Sequence, residues 1–173
     1  MTTPRVTPWQ DGEPVEQALL EAIKARRPGG NLIGIDRVLL KSFPLATGWN
    51  ELLVRVRQAF SLNLEYRELI MLRVAWLNKA QFEWNVHYPA YLDAGGTPEK
   101  ANALQLADIS SLFDETESLL ISLTDQSTYD VVVEEGVIEG LKKRLGEKET
   151  VEAVATVAAY NMVSRFLVAL AII

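Results

Sequence analysis

Apolar side chains recur at helical spacing along almost the whole of this sequence, and most of its glycines and prolines fall between the apolar segments. Spacings of three and four residues place side chains on one face of an α-helix. No segment shows the strict alternation of apolar and polar residues that is typical of a half-buried strand. The pattern therefore predicts an all-α fold, a single-domain helical bundle of about six to eight helices over residues 1–173.

Residues with helix-capping chemistry predict where several helices begin and end. A first helix is expected over residues 14–27, and a strongly apolar one over residues 66–77. Asn78 is expected to be the N-cap of the following helix, because Gln81 then occupies the third helical position and completes a capping box. Gly95 suits the position just past the end of that helix.

The C-terminal half carries the same kind of signals. Asp114 is a predicted N-cap, with Glu117 at the third helical position. Asp130 is expected to cap a helix that ends at Gly146. A last helix over residues 147–170 is apolar on most of its surface. Such a helix is expected at the centre of the core or at a subunit interface.

Composition and charge argue against several classes of function. The formal net charge is -6 and the basic residues are scattered, which disfavours a nucleic-acid partner. The chain has no cysteine, which excludes disulfides, thiol redox chemistry and thiolate metal sites. The most apolar run, residues 166–173, is far shorter than the roughly 20 residues of a membrane span, so no membrane partner and a cytoplasmic location are expected. Residues 1–11 are polar and rich in proline, which predicts a flexible N-terminal arm.

The single histidine, His87, is the natural candidate for acid/base chemistry, because an imidazole titrates near neutrality. Glu83 precedes it by four residues and shares its helical face, so the carboxylate could orient the ring and fix its tautomer. An ordinary surface Glu–His pair has the same spacing, and on spacing alone it is the commoner explanation. Phe82 and Trp84 would line an apolar wall around the pair, although aromatic residues at helical spacing are more often part of a core.

Two further side chains are candidates for the same site. Glu68 lies 19 residues before His87, about 100° away on an unbroken helix, but a turn near Asn78 would bring the two together. Arg165, a polar residue in the apolar last helix, could bind a substrate carboxylate bidentately, although a structural ion pair is its commoner role. One histidine and no second Glu-x-x-His motif fall short of a di-iron site, so no metal is expected.

The central segment resembles a known superfamily. Residues 67–78 (RELIMLRVAWLN), followed by Phe82, Glu83, Trp84 and His87, are similar to the carboxymuconolactone decarboxylase and alkylhydroperoxidase D-like superfamily. The likeness is greatest to its longer branch, in which an aromatic-Glu-Trp triplet precedes the histidine. It implies an all-helical domain that assembles into dimers, trimers or hexamers.

The resemblance also implies a site and a chemistry. In the peroxidase members a glutamate, two cysteines and a histidine relay protons beside a redox disulfide; Glu68 and His87 match the glutamate and the histidine. The two cysteine positions fall on Ala80 and Glu83, so thiol peroxidase activity is not expected. The decarboxylase members also lack the cysteines and carry a glutamate four residues before the histidine.

We therefore expect a cofactor-independent acid/base enzyme that decarboxylates, eliminates from or isomerises a small organic acid or lactone. His87 would move the proton, Glu83 would orient it and Glu68 would relay protons. Phe82, Trp84 and Arg165 would contact the substrate. The alternative is a non-catalytic, oligomeric binding or scaffold protein that retains the fold, and a minor third hypothesis is a metal-assisted enzyme.

Overall fold

The computed structural model describes residues 4–106 and 112–172, and within these ranges it contains eight α-helices and no strand. The predicted all-α fold is confirmed. The helices are α1 (Gln17–Ala25), α2 (Gly34–Leu39), α3 (Phe43–Gln58), α4 (Leu64–Leu77), α5 (Gln81–Asp93), α6 (Pro98–Ala103), α7 (Glu115–Tyr129) and α8 (Glu135–Ala169), with a short 3-10 turn at Pro28–Gly30 after α1.

Helix α4 forms the centre of the bundle. Every residue from Arg67 to Ala75 is buried, and α5, α7 and α8 pack around the helix. A helix surrounded in this way has no solvent face, which explains why its sequence shows no amphipathic stripe. Its buried charges are paired inside the fold: for example, Arg73 forms an ion pair with Asp125 at 2.7 Å. The elements that carry the candidate site are therefore anchored to the core.

The chain reverses between α4 and α5 within three residues, but Asn78 does not cap α5 as predicted. Asn78 ends α4, and its side-chain amide donates to Asn161 Oδ1 at 2.9 Å and to Ser164 Oγ at 2.8 Å on α8. Lys79 adopts a positive φ of 59°, and α5 then begins after Ala80 without a side-chain cap. The turn was correctly located, but the Asn78 side chain bonds across the core instead of along its own chain.

Of the remaining predicted helix caps, one is confirmed and one is wrong. Asp114 and Glu117 form the expected capping box at the start of α7. Asp130 was predicted to begin the next helix, but it lies at the end of α7, and α8 follows Glu134 without a side-chain cap. Gly146, with φ 79° and ψ 170°, interrupts α8 at the predicted boundary between two helical segments.

Helix α8 is long and apolar enough, by length and composition alone, to cross a membrane. However, 56% of its most apolar window is buried inside the fold. Burial of this kind is typical of a core helix, and it explains the apolar surface that the sequence predicts for residues 147–170.

The N-terminal arm is packed from residue 5 onward rather than hanging free. The Arg5 backbone N–H donates to the Leu170 carbonyl at 2.8 Å, and its guanidinium donates to the Ala169 carbonyl at 2.9 Å. Trp9 is buried, and its backbone N–H donates to the Arg37 carbonyl. Residues 1–3 of the expected flexible arm lie outside the described residues.

Candidate active site

His87 lies on the buried face of α5 and is hydrogen-bonded to Glu68 on α4. The distance from His87 Nδ1 to Glu68 Oε2 is 2.7 Å, and the two residues are 6% and 7% exposed. The tight turn between the helices thus brings Glu68 beside His87, as the sequence suggested. A carboxylate on Nδ1 favours the tautomer that carries its proton there, which leaves Nε2 as the basic nitrogen.

The His87 ring is also fixed by an aromatic neighbour from α8. Tyr160 meets it edge to face, with ring centroids 5.0 Å apart. Tyr160 is completely buried, and burial raises the pKa of its hydroxyl to about 12, with Arg57 opposing the rise. The tyrosine is therefore neutral at physiological pH, and α4, α5 and α8 together hold the imidazole in one orientation.

Glu83 does not orient His87, which corrects the role predicted for it. It is 1% exposed, and neither of its carboxyl oxygens has a hydrogen-bond partner among residues 4–106 and 112–172. Burial raises the pKa of this carboxyl well above its usual range, and the charge of Arg57 only partly opposes the shift. Glu83 is thus a buried acid that favours its neutral form.

A cavity of about 190 Å³ is bordered by His87, Glu83 and Arg57. Its volume suits a small molecule rather than a polymer segment. Apolar residues from α3, α5 and α8 form much of the wall, and Phe82 is among them, as predicted. The lining consists of Arg26, Arg27, Ile33, Ile35, Val54, Arg57, Gln58, Phe82, Glu83, Val86, His87, Val163 and Leu167.

Two predicted contact residues lie elsewhere. Trp84 borders a separate surface cleft with Trp76 and Tyr129, because its ring points away from the buried face of α5. Arg165 is exposed on α8 and donates to the Thr128 carbonyl at 3.3 Å. The structure therefore brings together His87, Glu68, Glu83 and Phe82, but not Trp84 or Arg165.

Three arginines on the cavity wall were missed by the sequence reasoning. Arg26 and Arg27 lie at the end of α1 and both bind the buried carboxylate of Asp36 at 2.8 Å. Desolvation and the neighbouring Arg27 charge lower the pKa of Arg26. One carboxylate thus faces two guanidinium groups, which leaves this part of the wall positively charged.

The third arginine, Arg57 on α3, reaches the same cavity. Its Nε donates to the Tyr160 hydroxyl at 2.8 Å, and the guanidinium also lies 5.7 Å from the centroid of that ring. No local pattern marks either residue, because they are 103 positions apart in the chain. Arg26 and Arg27 follow the end of a helix, where basic residues are expected from the helix dipole alone. The sequence therefore gives no reason to place them at a cavity.

A metal centre is not indicated by the arrangement of side chains. Within the described ranges, no group of three or more histidine, aspartate or glutamate residues is placed to hold a metal ion. Glu68 is already bonded to His87, and Glu83 favours the uncharged state, which is a poor metal ligand.

Comparison with known proteins agrees with this architecture. The family model described as "Carboxymuconolactone decarboxylase family" matches residues 44–125, a range that includes Arg57, Glu68, Glu83 and His87. No curated protein matches the sequence.

Two solved structures share the fold. An uncharacterised peroxidase-related protein from Silicibacter sp. TM1040 superposes with a TM-score of 0.82 at 16% identity, covering 100% of this chain and 94% of the other. A protein of unknown function from Agrobacterium tumefaciens, named as a candidate antioxidant defence protein AhpD, gives 0.69 at 22% identity, covering 76% of this chain and 91% of the other. The central part of the chain is therefore similar to the carboxymuconolactone decarboxylase family, and the two solved structures share its helical fold.

Proposed function

We propose that this protein is a cofactor-independent acid/base enzyme that acts on a small organic acid or lactone by decarboxylation, elimination or isomerisation. The observation that carries the proposal is the buried His87–Glu68 pair, joined at 2.7 Å, in which His87 lies on the wall of a cavity that three arginines also line. A histidine held by a carboxylate beside a partly enclosed cavity is a common arrangement for proton transfer.

Glu68 takes the orienting role in this mechanism. Its carboxylate accepts the His87 Nδ1–H bond, so Nε2 presents a lone pair to the cavity. Nε2 removes a proton from the substrate, Glu68 stabilises the imidazolium that forms, and the same proton returns to the product. In a decarboxylation the imidazolium form of His87 protonates the carbon that loses carbon dioxide, and a proton from water then restores the imidazolium.

The charge of the cavity supports an anionic substrate. Arg26, Arg27 and Arg57 lie on its wall, and Asp36 is the carboxylate bound to two of them. The protein as a whole carries a net charge of -6, so this positive cavity is a local exception. Guanidinium groups bind carboxylates well, and a partly enclosed site strengthens the attraction.

Thiol-dependent peroxide reduction is not part of the proposal. The chain has no cysteine, and in this structure the position that the resemblance assigns to the second redox cysteine holds the buried Glu83. A carboxyl group cannot take the place of a thiolate as a nucleophile toward peroxide.

A non-catalytic scaffold is the alternative, and the burial of Glu83 weighs against it. An unpartnered buried carboxyl lowers the stability of a fold, and a scaffold gains nothing from it. Exposed apolar side chains on α8, including Val151 and Val154, nevertheless favour a homo-oligomer in either case. We propose such an oligomer, located in the cytoplasm, and light scattering of the purified protein tests the assembly.

The test of the enzyme uses His87→Ala with Asn85→Ala as a matched control, since Asn85 is an exposed residue of the same helix. A panel of small unsaturated lactone acids and carboxylic acids is incubated with each protein, and products are followed by proton NMR. We expect turnover by the wild type and the control, and a loss of about 100-fold or more in the variant. Equal turnover by all three proteins, or none by the wild type, would contradict the proposal.

A further inference from the structure

Glu83 lies in the cavity wall with no group to satisfy its hydrogen-bonding capacity. Both carboxyl oxygens are buried and unpartnered within the described part of the chain, and the side chain is 1% exposed. Buried polar atoms almost always have partners, so an orphaned carboxyl in a cavity wall points to a ligand that supplies one. Because no hydrogen bond holds the carboxyl, forming one with a ligand in the cavity would break no hydrogen bond within the described residues.

Arg57 is the complementary group on the same wall. Its Nε is bonded to Tyr160, while its two Nη atoms make no hydrogen bond to a described residue. The Arg57 charge acts on Glu83 and opposes the rise of the Glu83 pKa, yet no hydrogen bond joins the two side chains. Arg57 forms no ion pair with a carboxylate among the described residues, although the charge of Glu68 acts on it.

We propose that Arg57 and the uncharged form of Glu83 together make a seat for a ligand carboxylate, which accepts hydrogen bonds from Arg57 Nη and from the Glu83 O–H. The proposal rests on the proposed function, because this seat would hold the carboxylate of the substrate beside His87. An ionised Glu83 would repel the ligand and compete for Arg57. Ligand binding is therefore coupled to the protonation of Glu83. At a pH at which free Glu83 is ionised, the binding of a carboxylate is accompanied by the uptake of one proton by Glu83.

Other titratable and charged groups surround the seat, and their effects on the pH dependence of binding must be distinguished from that of Glu83. Tyr160 on α8 remains neutral throughout the physiological range, since its pKa is about 12. Glu68 on α4 is hydrogen-bonded to His87 on α5, and no hydrogen bond links either of them to Glu83. The remaining charges near the seat are the ion-paired Arg26, Arg27 and Asp36 on α1 and α2.

The experiment measures the binding of acetate and of chloride to the full chain between pH 5 and 9, using the ring signals of His87, the only histidine. For the wild type we expect saturable acetate binding whose affinity falls by about tenfold per pH unit once Glu83 ionises. Glu83→Gln keeps a hydrogen-bond donor and cannot ionise, so its affinity should lack this fall. Arg57→Gln should weaken acetate binding at least tenfold, whereas Arg55→Gln, an exposed arginine on the same helix, should not.

Three results would overturn the seat. They are an absence of acetate binding to the wild type, unchanged affinity in Arg57→Gln, and a Glu83→Gln profile with the wild-type pH dependence. Chloride binding as tight as acetate binding would show only an adventitious ion and would overturn it as well. Turnover that depends on His87 would survive any of these results. Conversely, Glu83-linked acetate binding by a protein without turnover would leave the seat standing and remove the enzyme.

Discussion

Replacing Glu83 by glutamine should stabilise the protein relative to the wild type by an amount that grows with pH. In the unfolded chain the carboxyl ionises near its ordinary pKa of 4.5, whereas in the native protein burial keeps it protonated to a much higher pH. Between the two pKa values the native state holds one proton more than the unfolded state. The wild type therefore loses about 1.4 kcal/mol of unfolding free energy per pH unit from this group, and the glutamine variant does not.

Urea unfolding at pH 5, 6 and 7 measures this difference, because contributions from the other titrating groups cancel between the two proteins. Below pH 4.5 both side chains are neutral and the difference should be constant; above it, the curves should separate until the native Glu83 pKa is reached. Glu51→Gln, at an exposed position on α3, is the control and should show no such separation. Parallel curves for wild type and Glu83→Gln from pH 5 to 7 would refute the argument that Glu83 is buried and protonated.

Four further substitutions test the fold. Asp36→Asn removes a buried carboxylate from two partly buried guanidinium groups and should lower the free energy of unfolding by about 3 kcal/mol in urea titrations; a loss below about 1 kcal/mol would contradict the pairing. Gly96→Ala places a Cβ 2.3 Å from the Tyr91 ring and should destabilise by about 1–3 kcal/mol, whereas Gly48→Ala, in an open part of α3, should stabilise by about 0.5–1 kcal/mol. Equal effects of the two would be inconsistent with the packing. Asp114→Ala removes the capping oxygen of α7 and should lower the free energy of unfolding by about 1 kcal/mol, which a lower melting temperature would report. An unchanged melting temperature would argue against the cap.

How far the sequence predicts this structure depends on how local each interaction is. The Asp114–Glu117 capping box spans three residues and was predicted correctly. Asn78 could also cap a helix, and the local sequence predicts that role. In the structure its side chain instead bonds to two residues of α8 that lie 83 and 86 positions away. Helix ends that are set by residues close in sequence can be predicted from the sequence. Hydrogen bonds that polar side chains make across the core cannot.

The candidate site shows the same division. Helical spacing placed Glu83 and His87 on one face correctly, but spacing cannot tell a hydrogen-bonded pair from two neighbours with different partners. Glu68 became accessible to prediction only through the assumed reversal near residue 78. The Arg57–Tyr160 contact depends on how α3 packs against α8, which no pattern in either segment reveals.

The burial of residues 67–75 of α4 has a consequence for the thermal loss of the site. Because α5, α7 and α8 surround this part of the helix, its backbone amides are expected to be among the most protected from exchange with solvent. Glu68 lies in this part of the helix, and its partner is joined to it by a turn of three residues. On heating, the His87–Glu68 contact should therefore persist until the cooperative transition, and hydrogen exchange at α4 should report the lifetime of the proton-transfer geometry itself.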